Sequence, residues 1–236
     1  MRALSATELL GVWERGCGQP PVRQALALLA AACPESTPAA LAALSIGQRD
    51  ARLVALRGLT FGTDFAGLAD CPSCGDRVEL AFRADDLLPA ATPEPPAELA
   101  LRIDGRDLRF RVPTSADLLA VTADAGEAAG RAVLLDRCLL AGRDHLAGEV
   151  VDAIVAEMAR ADPLADIQLA LACPACGHAW RRSFDIVTYF WREIHAWALG
   201  LLREVHTLAT AYGWSEAEIL TLNPARRRAY LELVNA

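Results

Sequence analysis

Lysine is missing from this chain, and all 23 of its basic side chains are arginine. Beside a heavy use of alanine, that absence points to a GC-rich coding bias and carries no function. Positive charge is also in deficit. Aspartate and glutamate number 30, the formal net charge is -7 and the isoelectric point is near 5.2. This disfavours nucleic acid as a partner, because nonspecific affinity for a phosphate backbone comes from clustered cations. No long apolar run is free of charge: the stretch from Ile186 to Tyr212 contains Arg192, Glu193, Arg203 and Glu204, whose burial in hydrocarbon would cost several kcal/mol. No membrane span is therefore expected. Met1 to Leu10 carry Arg2 and Glu8 and lack the apolar core and cleavage site of a secretory leader, so a cytoplasmic location is the expectation. A phosphate-cradling glycine loop, a Gly-x-Ser-x-Gly elbow and a His-Glu-x-x-His pair are all absent.

What is present is apolar material in quantity. With 236 residues, 53% hydrophobic and 22% charged, the chain can bury one large core or two small ones and is expected to fold. Helix starts are written in cap chemistry: Ser5 with Glu8, Pro20 and Pro21 after Gly18, and Thr37 before Pro38. Apolar residues three and four apart then predict helices near 6–15, 20–32, 38–44 and 47–58.

Beyond Cys71 and Cys74 the period changes to two, with Val78, Leu80 and Phe82 alternating with Arg77, Glu79 and Arg83. Pro89, Pro93, Pro95 and Pro96 mark a loop. Leu99, Leu101 and Ile103, then Asp104-Gly105, then Leu108, Phe110 and Val112 predict a hairpin. Helices are expected near 115–122, 127–141 and 148–160. Ile167, Leu169 and Leu171 form a strand entering Cys173, and Trp180 to Phe184 return from it.

Ile186, Phe190, Ile194, Trp197, Leu201, Val205, Leu208 and Tyr212 repeat every 11 residues, which predicts a nearly straight helix of roughly 39 Å. Ser215 with Glu218, and Asn223 with Pro224, open two short closing helices. Glu193 and Glu204 are expected on solvated helix faces, and Arg226, Arg227 and Arg228 on a helix surface.

Cys71-Pro72-Ser73-Cys74-Gly75 and Cys173-Pro174-Ala175-Cys176-Gly177 are one turn written twice. Two thiolates at this spacing reach one tetrahedral zinc at about 2.3 Å, and two such turns supply a closed set of four sulfur ligands. Such a site leaves no open position for water or substrate, so structural zinc is expected rather than a catalytic ion, and no catalytic residue is assigned. The pairs lie 99 positions apart, whereas compact ribbons separate theirs by about 15–20. The intervening segment is therefore an insertion, and closing it with a metal is worth up to roughly 4.7 kcal/mol of chain entropy. A redox dithiol, or a turn without metal, is the competing reading of each pair. His178 is read as a solvent-facing neighbour of the second pair rather than a ligand. His195 and His206, roughly 16 Å apart on one helix, cannot share a metal. Cys17, Cys33 and Cys138 are expected as small buried hydrophobes.

The sequence resembles the T4-type baseplate hub assembly chaperone family of contractile phage tails and related contractile injection systems. The likeness is carried by Leu10-Gly11-Val12-Trp13-Glu14-Arg15-Gly16, by Ser45-Ile46-Gly47-Gln48-Arg49-Asp50-Ala51 with Leu56-Arg57, and by the two Cys-Pro-x-Cys-Gly turns. Phe184-Asp185-Ile186, Trp191, Glu204-Val205-His206, Ala211-Tyr212-Gly213-Trp214 and Glu218-Ile219-Leu220 complete it. The resemblance implies a non-enzymatic factor whose partner is a baseplate hub or spike protein; a permanent baseplate component is the nearest alternative. A zinc-ribbon nucleic-acid binder is the alternative of another class, drawn from Arg102, Arg106, Arg109, Arg111, Arg181 and Arg182.

The expected organisation is α+β. A helical region covers 1–66, the zinc-ribbon halves cover 67–85 and 164–185, an insertion with the Pro-rich loop, hairpin and helices covers 86–163, and helices close the chain over 186–236.

Overall fold

The computed structural model describes residues 1–88, 94–103, 105–121, 126–142 and 147–234. The chain begins with helices α1 (Ala6–Gly16), α2 (Pro21–Ala32), α3 (Pro38–Ala42) and α4 (Ile46–Phe61). The hairpin β1 (Asp64–Asp70) and β2 (Arg77–Arg83) follows, and a short α5 (Ala84–Leu87) leads to β3 (Leu99–Ile103) and β4 (Arg106–Phe110). Then come α6 (Ser115–Leu118), α7 (Glu127–Cys138), β5 (Leu139–Ala141), α8 (Gly148–Ala161) and a 3-10 turn over Pro163–Asp166. Strands β6 (Gln168–Ala172) and β7 (Ala179–Ser183) precede α9 (Ile186–Tyr212), α10 (Glu216–Thr221) and α11 (Pro224–Val234). The architecture is α+β, with sheets β1-β2, β3-β4-β5 and β6-β7, all antiparallel.

The helix starts follow their cap chemistry. In α1, α4 and α10 the cap serine accepts from the third residue's N–H, and that residue's side chain accepts from the serine N–H, so donors that a helix start leaves open are paired. Helix α9 is 27 residues long, about 40 Å, and it is the axis on which α1, α2, α4, α10 and α11 pack. Its buried side includes Ile186, Phe190, Ile194, Leu201, Val205 and Leu208. Around it Val12, Leu28, Leu29, Leu53, Leu56 and Phe65 form the main core, each fully buried large apolar side chain contributing about 1.5–3 kcal/mol. A second core of Leu108, Phe110, Leu139 and Ile154 lies under the three-stranded sheet. A third, of Val205, Leu208 and Ile219, closes the C-terminal end.

Several expectations need correction. The segment expected as one helix over 127–141 leaves the helix at Cys138 and becomes strand β5, because Leu139 pairs with Phe110 across the sheet. Strand β1 and helix α5 were not expected. Helix α6 stops at Leu118, and α3 at Ala42. Pro89, Pro93 and Asp104 lie outside the described residues; Pro95 and Pro96 are in irregular chain, and Gly105 takes the positive φ of 74° that the tight turn requires.

Glu193 is not a solvated helix residue. It accepts from Arg57 Nε and Nη2 at 2.9 and 2.6 Å. Glu204 accepts from Arg227 Nε at 2.6 Å, which turns the middle arginine of the 226–228 run inward. Cys33 and Cys138 are buried as expected, but Cys17 is exposed.

The insertion is fastened to the helical body at the start of α4. The Ile46 N–H donates to the Pro113 carbonyl at 3.2 Å, the Ser115 N–H to the Leu44 carbonyl at 3.4 Å, and the Gly47 N–H to the Asp162 carboxylate at 2.9 Å.

Candidate metal centre

The two cysteine turns are the tips of the β1-β2 and β6-β7 hairpins, and they are built alike. In the first, the Cys71 N–H donates to the Asp76 carbonyl at 2.8 Å and the Gly75 N–H to the Cys71 carbonyl at 2.9 Å. In the second, the Cys173 N–H donates to the His178 carbonyl and the Gly177 N–H to the Cys173 carbonyl, both at 2.9 Å. Gly75 and Gly177 have φ of 76° and 72°, which a residue with a Cβ adopts only at a cost.

The bases of the hairpins meet as well as the tips. The Ala84 N–H donates to the Thr63 carbonyl at 2.9 Å, and the Phe184 N–H to the Ile167 carbonyl at 2.7 Å. Phe65 stacks on Phe82 at 5.2 Å, and Phe184 stands edge-on to both, at 5.8 and 5.3 Å. Tyr189 of α9 packs on Phe65 and donates its hydroxyl to the Ala66 carbonyl at 2.9 Å. These aromatic contacts hold the hairpins side by side and aim both tips at one point.

All four expected ligands come together there. The sulfurs of Cys71, Cys74, Cys173 and Cys176 lie within 4.8 Å of one another, with Cys71 to Cys176 at 3.7 Å and Cys74 to Cys173 at 3.6 Å. A tetrahedron with metal–sulfur bonds of about 2.3 Å has edges of about 3.8 Å, so the sulfur set fits a zinc-sized dication. Cys71 and Cys173 are buried against Val78, Leu80 and Trp180, while Cys74 and Cys176 face solvent. His178 is not in the group; its ring stacks on Trp180 at 6.1 Å.

Burial works against ionisation of Cys71, but the N–H groups of Cys74 and Ser73, together with the Cys74 and Cys176 thiols, bring it down to about 7. At Cys74 the Asp76 N–H favours the thiolate, yet Cys176, burial, Cys173 and Cys71 push the group up to about 12. A bound dication would favour the thiolate at each ligand, because coordination removes the proton outright.

Most of the hairpin arginines considered for nucleic acid are occupied. Arg102 faces Asp107 at 3.6 Å, Arg109 faces Glu98 at 3.3 Å, and Arg111 is held by Asp117 at 2.6 Å. Arg181 and Arg182 are exposed on β7.

The sequence reading missed β1, the strand that carries Cys71 into the site. Its signal was the second turn: two turns of one Cys-Pro-x-Cys-Gly pattern imply a strand before each, and β6 precedes Cys173 as β1 precedes Cys71. No helix among the described residues is long and apolar enough to cross a membrane. The chain matches no protein-family model, no curated protein and no solved structure.

Proposed function

We propose that this chain is a non-enzymatic assembly factor for the baseplate hub of a phage-tail-like contractile injection system, braced by a structural zinc ion on Cys71, Cys74, Cys173 and Cys176. The observation that supports this best is that segments carrying the family resemblance, far apart in sequence, meet in space. A Cβ on Gly16 would lie 2.2 Å from the Trp191 ring, so only glycine lets α1 approach α9 there. Ile219 packs on Val205 and Leu208, and within one segment Tyr212 stacks on Trp214 at 4.6 Å. Such contacts set the angles between helices, which suits a protein whose task is to present surfaces.

The four-sulfur set supports the zinc assignment and its structural role, since four thiolates saturate a tetrahedral ion. The hub or spike protein is the partner, engaged in the cytoplasm before the baseplate is complete. Two experiments test this. Affinity-tagged protein, expressed with its neighbouring genes, should co-purify with a hub or spike protein; its return alone would remove the assembly role. Protein purified without chelator should carry one zinc per chain, and well under one would remove the metal assignment.

A further inference from the structure

Away from the sulfur site, the insertion leaves an open groove between α7 and α8 with a volume of about 1140 Å³. Leu134 and Leu135 of α7 face Val151, Val155 and Met158 of α8 across it, with Val22 of α2 beneath. Helix α8 carries one wide apolar stripe, and its seat covers only part of it. Val150 and Ile154 are buried under the three-stranded sheet, whereas Val151, Val155 and Met158, spaced by four and three residues, line the groove. Val155 is 41% exposed. Helix α7 fully buries only Gly130 and Cys138; Leu134 and Leu135 stay partly exposed, and Leu135 also touches the second core.

The size and charge of this groove select its occupant. Small-molecule pockets run from about 300 to 1,000 Å³ and enclose their ligand; this one is larger and partly open. Apolar walls offered at helical spacing suit an amphipathic helix laid in a groove, anchored through residues i, i+3 or i+4, and i+7. The charged lining is Glu127, Asp162, Asp166 and Arg131; Arg131 is paired with Asp152 at 3.0 Å and the buried Asp162 carboxylate is committed to the Gly47 N–H, which leaves Glu127 and Asp166 as the exposed charges. Asp166 follows the C-terminus of α8, whose free carbonyls add partial negative charge. The lining therefore attracts cations at the flanks of an apolar stripe.

We infer that the α7–α8 groove docks an amphipathic helix of a partner protein, apolar on one side and flanked by arginine or lysine. This specifies the contact chemistry of the assembly factor proposed above, and it rests on that reading only for the partner's identity.

The probe is a fluorescein-labelled 15-residue synthetic helix with a leucine stripe and lysine flanks, titrated with the full chain and followed by anisotropy. Its controls are the same peptide with glutamate for lysine, and a scramble that destroys the stripe. The basic peptide should bind at least ten-fold more tightly than either control. Val155→Ser should weaken it about ten-fold, and Glu127→Gln with Asp166→Asn should weaken it several-fold and flatten its salt dependence. All three positions are exposed, so the thermal midpoint should not move. No saturable binding up to about 1 mM peptide, equal binding of the glutamate peptide, or indifference to Val155→Ser would each overturn the inference. Self-association that Val155→Ser abolishes would also overturn it, by making a second copy the occupant. Failure here with a hub protein still co-purifying would remove the groove and leave the assembly role; the reverse would remove the role and leave the groove.

Discussion

Gly47 and Asp162, 115 positions apart in sequence, meet at the first turn of α4, where the Gly47 N–H donates to the Asp162 carboxylate at 2.9 Å. A Cβ on Gly47 would lie 2.1 Å from Asp162 Oδ1 and 3.0 Å from the Ala165 backbone nitrogen. The contact lets the carboxylate serve as an extra cap on a helix N-terminus, where its charge is favoured, and it ties the end of the insertion to the helical body. Replacing a helical glycine with alanine ordinarily gains about 0.5–1 kcal/mol. Here Gly47→Ala should lose about 1–3 kcal/mol through overpacking, read as a lower midpoint in urea. A stabilised variant would show that the joint yields without cost.

Arg57 makes a comparable joint at the other end of α4. Beyond its two bonds to Glu193, its Nη1 donates to the carbonyls of Gly62 and Asp64, both at 2.6 Å, and the guanidinium lies 4.2 Å from the Phe65 ring centroid. Lysine has one charged nitrogen and cannot span this set. Arg57→Lys should cost about 2–3 kcal/mol and Arg57→Ala about 3–5, since the second leaves a carboxylate and two carbonyls without their donor. Equal denaturation curves for Arg57→Lys and the parent would show that the fork is dispensable.

Stability should fall in acid through Asp117. Burial alone would raise its pKa, but Arg111, at 2.6 and 2.9 Å, and the Thr114 N–H and hydroxyl hold it well below the ordinary carboxylate range; Arg137 adds a bond at 2.9 Å. A carboxylate depressed in the folded state contributes stability that is complete above its unfolded pKa of about 3.9 and is lost as pH falls below that value toward its folded one. Asp117→Asn should therefore be less stable at pH 7 and should flatten the dependence of unfolding free energy on pH below about 4. An unchanged slope would show that other carboxylates dominate that range.

Metal removal should open the hairpin tips and leave their bases closed. The contacts of Phe65, Phe82, Phe184 and Tyr189 do not involve sulfur, so chelation withdraws only the cross-link at the far end. Amide exchange should accelerate at Cys71, Gly75, Cys173 and Gly177, while residues of α9 such as Phe190 and Ile194 keep their protection. Uniform acceleration across the chain would show that the ion holds the whole fold.

The elements that could be read from sequence are those in which local chemistry and periodicity agree. The Ser5–Glu8 and Ser215–Glu218 boxes, the 11-residue repeat of α9 and the alternation around Gly105 each require only a few neighbouring residues. The elements that escaped depend on distant partners. Strand β5 continues without a break from α7, and its backbone leaves the helix because Phe110 offers it a ladder. Residues 64–70 show no clean alternation, since Leu68 and Ala69 break it, and β1 forms because β2 pairs with it along its whole length. Glu193 and Asp162 look like ordinary surface carboxylates until Arg57 and Gly47 are placed beside them.

Two identical cysteine turns determined by themselves which side chains would form the sulfur set, because thiol spacing, proline stiffness and the positive φ of glycine are local properties. Whether those turns met was a matter for the tertiary structure. Nothing within either turn encodes the position of the other, and a separation of 99 positions could have carried them apart. The aromatic bases of the hairpins and the seat on α9 bring the tips together, since packing of large rings around the buried Phe65 offsets the entropy of joining distant segments. The groove was likewise beyond the sequence: a helix over 148–160 was legible, but only the fold decided which part of its apolar stripe was left open.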